Sequence, residues 1–106
     1  MSKVVIEAVT FRVDPKVSAE EFAKLAAATR PAVAAMPGFR RRVLSVDAEG
    51  TWLDHVEWDS MEDAQAAARN ISQQPSFGPF SKAIAAGSVT MRHADLAMVH
   101  EAVVDA

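Results

Sequence analysis

A strand that runs straight into a capped helix constrains this chain more than any other stretch. It spans residues 51–70, TWLDHVEWDSMEDAQAAARN. Trp52, Val56 and Trp58 alternate with Leu53, His55 and Glu57, the period of two shown by a strand whose faces meet different surroundings, and Asp54 shares the tryptophan face. Ser60 then offers its hydroxyl to the free N–H groups of the next turn. Asp63, three residues on, places a carboxylate where a helix N-terminus favours negative charge. Ala64, Ala67, Ala68 and Ile71 follow on one side at spacings of three and four, a stripe of small residues that lets the helix lie close to a sheet.

The rest of the chain repeats this theme. Residues 3–13 read as a strand with parities Val5, Glu7, Val9, Phe11, Val13 and Val4, Ile6, Ala8, Thr10, Arg12. Both are largely apolar, so something must cover each face, and a second copy of the chain is the simplest cover for the face without helices. Asp14 and Pro15 end the strand. Ser18 and Glu21 form a capping box ahead of Phe22, Leu25, Ala26, Thr29, Val33 and Met36, with a kink or early stop expected at Pro31, which lacks an N–H and crowds the carbonyl four residues back.

Pro37 and Gly38 close that helix, and a second strand begins at Phe39. Its Arg40, Arg41 and Arg42 read either as an anion site or as the charged dressing of an edge strand. The polar turn 47–50 makes a hairpin with the strand that opens at Thr51. Beyond the second helix, Pro75, Gly78 and Pro79 interrupt the chain, a short helical piece carries Phe80 and Ile84, and Gly87 ends it. A last strand is expected over 88–99, with Val89, Met91 and His93 against Thr90 and Arg92. The tail 101–106 is loosely held or docks on a neighbour.

Strand, helix, strand, strand, helix, strand is the split βαβ, ferredoxin-like plan: an α+β fold with a four-stranded antiparallel sheet and two helices on one face. At 106 residues the chain is expected to form a single domain, 1–106. The absence of cysteine removes disulfides and thiolate chemistry, and a net charge of −3 argues against nucleic acid as partner. No apolar run reaches the roughly 18 residues of a membrane span, and no signal-peptide pattern precedes the first strand, so a cytoplasmic location away from membranes is the expectation.

Three segments carry a resemblance: the Pro37-Gly38-Phe39 turn, the Glu57-Trp58-Asp59-Ser60-Met61-Glu62-Asp63-Ala64 junction and the closing Ser88-Val89-Thr90-Met91. Together they resemble the antibiotic biosynthesis monooxygenase-like family of dimeric α/β barrels. The resemblance implies a homodimer with a cavity between each sheet and its helices. Some members oxidise polyketide aromatics without a cofactor and others cleave haem. Haem-cleaving relatives use an asparagine, a tryptophan and a histidine where the nearest positions here are Val9, Ala67 and Phe80 with Ser81, so no haem is expected. Quinone-forming relatives use a tyrosine, a tryptophan and an asparagine, yet this chain has no tyrosine and its single asparagine is Asn70.

Candidate chemistry therefore rests on other groups. Glu7 interrupts an apolar parity; desolvated in a cavity, its carboxyl would be raised toward the range of a general base, whereas at a dimer edge it would be a paired or part-exposed glutamate. Strand three lies beside strand one in this plan, which brings His55 or Asp54 within reach of Glu7, and Glu7 with His55 is the expected proton-transfer pair. A His55 on the opposite face of the sheet would remove that pair and favour a non-catalytic role. Trp52, Trp58, Phe11 and Phe80 are the candidate substrate-binding walls, with core packing as the alternative use. His55, His93 and His100 lack ligand spacing, so no metal is expected. Two readings stand: a cofactor-independent monooxygenase acting on a hydrophobic aromatic substrate with no cofactor bound, or a non-catalytic ligand-binding or structural dimer.

Overall fold

The computed structural model describes residues 3–103. Strands β1 (Val5–Arg12), β2 (Phe39–Val46), β3 (Thr51–Trp58) and β4 (Thr90–Asp95) form one antiparallel sheet in the order β2-β3-β1-β4. β1 is thus flanked on both sides, by β3 and by β4. Its end is extended beyond the sheet, where Val13 bridges Ile84 and Asp14 N–H donates to the Ala83 carbonyl at 2.8 Å.

The first helical stretch breaks where proline requires it. α1 (Ala19–Ala28) starts at Ser18 with a complete capping box: Glu21 N–H donates to Ser18 Oγ at 3.0 Å and Ser18 N–H to Glu21 Oε1 at 3.1 Å. Pro31 cannot donate to the Ala27 carbonyl, and the N–H of Thr29 turns back on Ala26 and Ala27 instead. A separate α2 (Arg30–Ala34) follows. α3 (Met61–Asn70) is capped by Ser60, whose Oγ accepts from Asp63 N–H at 3.1 Å, and Ala64 and Ala67 are buried on it. A 3-10 turn at Ile71–Gln73 and the short α4 (Phe77–Lys82) lead toward β4.

β4 is shorter than the sequence suggests because its partner runs out. Leu96 N–H makes one last bond to the Val4 carbonyl at 2.9 Å, and residues 97–103 form no regular structure. Met98, Val99 and Val103 are exposed there, while the rest of the expected tail, 104–106, lies outside the described residues.

Strand parity decides what the helices cover. Val5, Glu7 and Phe11 of β1 and Trp52, Asp54, Val56 and Trp58 of β3 are buried. The opposite parity, Ile6, Ala8 and Thr10 with Leu53, His55 and Glu57, is only half-buried. The core falls into two clusters. One holds Val5, Val33, Val56, Trp58, Ala64 and Ala67; the other holds Phe11, Phe22, Ala26, Trp52, Phe80 and Ala83. Between them along the strands lie Glu7 and Asp54, two carboxylates where an uninterrupted apolar core would cost less.

Candidate functional site

Asp54 is held by an inward arginine. Arg42 Nε and Nη2 donate to Asp54 Oδ1 and Oδ2 at 2.9 and 2.8 Å, a bidentate pair with both side chains almost wholly buried. Arg42 Nη1 donates to Thr29 Oγ1 at 2.7 Å, and that hydroxyl donates to the Ala26 carbonyl at 2.6 Å, so the helix break at Thr29 becomes the third anchor. The guanidinium also stands 5.7 Å from the centre of the Phe80 ring. Of three successive arginines only this one turns in. A bulge between Phe39 and Arg41 shifts the alternation so that Arg42 opposes Val56 on the helix side while Arg40 and Arg41 stay exposed. The charged-edge reading thus holds for Arg40 and Arg41, and Arg42 departs from it.

Glu7 has a different partner from the one the sequence suggests. It sits opposite Val56 of β3, and His55 opposes Ala8 on the other face. His55 Nε2 instead lies 3.0 Å from Glu57 Oε2, its neighbour on that outer face. The proposed Glu7–His55 pair does not form, since successive side chains of a strand point to opposite faces. On the other side of β1, His93 of β4 is the register partner of Glu7, and its Nε2 lies 3.0 Å from Glu7 Oε2. Burial pushes the Glu7 carboxyl above its ordinary value; the His93 hydrogen bond and charge, and Arg42, pull it back only in part, while Asp54 adds to the rise.

Both carboxylates and Arg42 line a cavity of about 310 Å³ between the sheet and the helices, within the lower range of small-ligand sites. Its walls are apolar: Phe11, Trp58, Phe77 and Phe80 supply rings, and Val33, Met36 and Ile71 fill between them. Of the four candidate wall residues, Phe11, Trp58 and Phe80 line this cavity. Trp52 does not line this cavity and packs edge-on against Phe22, ring centres 4.8 Å apart. Val9, Ala67, Phe80 and Ser81, the positions nearest to those of haem-cleaving relatives, all face it. Sequence reasoning missed Arg42, Thr29 and His93. His93 shares its parity with Val89 and Met91, and β1 has two neighbours in this topology, which is the signal that leads to it.

A four-stranded antiparallel sheet, helices over one face and a lined cavity between them define a ferredoxin-like α+β protein. A profile of the antibiotic biosynthesis monooxygenase family matches residues 4–77, and the chain belongs to that family. Solved structures agree on the fold. A Nitrosomonas europaea protein of unknown function superposes with a TM-score of 0.73 at 13% identity, covering 96% of this chain and 97% of that one. SnoaB of Streptomyces nogalater, a cofactor-independent oxygenase, gives 0.61 at 22% identity over 94% and 97%. A heme-degrading protein of Mycobacterium tuberculosis gives 0.68 at 21% identity over 96% and 100%. A comparison with curated proteins finds no match. Among the described residues no helix is long and apolar enough to cross a membrane.

Proposed function

We propose that this protein binds a hydrophobic aromatic molecule in the cavity and oxidises it as a cofactor-independent monooxygenase, with Glu7 as general base and His93 as its hydrogen-bonded partner. One observation carries this reading: a buried carboxylate, raised by its surroundings and paired with an imidazole at 3.0 Å, opens onto a ring-lined cavity. The substrate supplies the electrons. An acidic ring CH₂ gives a proton to Glu7, the carbanion reduces O₂, and the products are a ring ketone and water. One oxygen atom enters each product, and the only oxidant is O₂. SnoaB, with the same fold, is an oxygenase of this cofactor-free kind.

The second reading, a non-catalytic ligand-binding or structural dimer, draws support from the absent His55 pair. His93 weighs against it by returning an imidazole to Glu7. Under either reading the unit is a homodimer joined through the open sheet face. Its Ile6, Ala8 and Leu53 are apolar, and proteins of this family are commonly dimeric. The chain exposes 7304 Å², against about 5,800 Å² for a compact monomer of its mass.

Oxygen uptake with anthrone as substrate, after treatment with a chelator, tests the enzymatic reading. Turnover that falls by about 100-fold or more in Glu7→Gln is the expected result. Undiminished turnover in that variant would remove Glu7 from the chemistry, and no turnover of anthrone or related ring ketones by the wild type would favour the binding role.

A further inference from the structure

The charges around the cavity do not balance, and the imbalance selects among ligands. Glu7, Arg42 and Asp54 are its charged lining residues. All three guanidinium nitrogens of Arg42 are engaged, two by Asp54 and one by Thr29, so its charge is neutralised within the wall. Glu7 is left with His93 alone, and only on Oε2. Its Oε1 receives no hydrogen bond from any described residue. Nor does it belong with Trp58 Nε1, the single side-chain polar atom that is both sealed and unpartnered among the described residues. Glu7 itself is 8% exposed. A nearly buried carboxylate thus presents a free acceptor to the cavity it lines.

From this arrangement we infer that the cavity selects an uncharged aromatic bearing a hydroxyl group, which donates to Glu7 Oε1, and rejects the carboxylate analogue of the same ring system. The inference rests on the reading of the cavity as the ligand site and adds its chemical selectivity. With His93 neutral, the lining groups and His93 sum to one negative charge; with His93 protonated they sum to zero. In neither state is a cation free to receive an anion. Arg30 and Lys82, on the neighbouring helices, are exposed and do not line the cavity. An anion entering here loses its water without gaining a counter-charge, whereas a phenol gains the acceptor that the protein leaves open. Trp58 Nε1 adds no charge.

Two naphthalenes that differ in one substituent provide the test. At neutral pH 2-naphthol is uncharged and 2-naphthoate is an anion. Calorimetric titration of the full chain should show 2-naphthol binding, and 2-naphthoate weaker by about 100-fold or more. The Met36 and Ile71 methyl signals, both in the lining, should shift with 2-naphthol. In Glu7→Gln the preference should shrink to about ten-fold or less, chiefly because naphthoate gains. Equal or tighter binding of naphthoate by the wild type, with the same methyl shifts, would overturn the selectivity and leave the cavity as a ligand site. Binding of neither compound would overturn both. The wild-type comparison decides the question even if the variant fails to fold.

Discussion

Glu7 Oε2 and His93 Nε2 lie 3.0 Å apart across the β1–β4 ladder, a carboxylate–imidazole contact joining residues 86 positions apart in the sequence. Through it β4, an edge strand, brings an imidazole to a carboxylate that lines the cavity. Burial dominates the environment of Glu7, so the folded protein holds that proton more tightly than the unfolded chain does.

The sign of the pH dependence follows. Relative to an ordinary value of 4.5, a raised folded-state pKa means that the native state binds more protons in the window above 4.5. The contribution of Glu7 to stability is therefore fully present below that value and is lost as pH rises through the folded pKa. Thermal unfolding of wild type and Glu7→Gln across pH should show the wild type losing ground to the variant on going from acid to neutral pH. A wild type that instead gained on the variant from acid to neutral pH would contradict the assignment.

Arg42→Met should destabilise the fold by about 3 kcal/mol or more, because it strands Asp54 as a buried, unpaired charge. The double variant Arg42→Met/Asp54→Leu should recover most of that loss, since two apolar groups need no partner. Urea unfolding of the single and double variants gives the cycle. Additive losses would mean that the two side chains are not coupled.

Much of this architecture is written in local residue chemistry. Ser18 and Ser60 mark the helix starts, Pro31 marks the break between α1 and α2, and the alternation from Trp52 to Trp58 sets the faces of β3. The same alternation places His55 away from Asp54 and the tryptophans, so the failure of the Glu7–His55 pair follows from strand geometry once the tryptophan face is known to be the covered one. Arg42 was not legible in this way. Three arginines in a row carry no sign of which faces inward, and the bulge that decides it arises from pairing with β3. The cavity is also a tertiary property, since Thr29, Ile71 and Phe77 come from segments that meet only in the folded chain.

The open sheet face yields a test of assembly. Wild type should sediment as a dimer at micromolar concentration, and Leu53→Lys, which places a charge among half-buried apolar side chains on that face, should sediment as a folded monomer. A wild-type monomer, or a Leu53→Lys dimer, would place the interface elsewhere.

Two glycines separate strain from crowding. Gly38 and Gly87 both have positive φ, +81° and +76°. A methyl group at Gly38 would collide with the Asp63 carboxylate, and one at Gly87 would meet open space. Gly87→Ala should cost about 1–2 kcal/mol for the left-handed backbone alone. Gly38→Ala should cost more, because the first turn of α3 must also yield. Equal losses in denaturant unfolding would show that the Gly38–Asp63 approach is not a tight one.

A crystal structure grown with saturating 2-naphthol tests the central claim most directly, namely that the space between the sheet and the helices is where this protein meets its ligand. The expected result is the ring system among Phe11, Trp58, Phe77 and Phe80, with its hydroxyl oxygen about 2.7 Å from Glu7 Oε1. An empty cavity in the presence of the ligand, or a ring bound on the outer face beside Leu53 and His55, would contradict it.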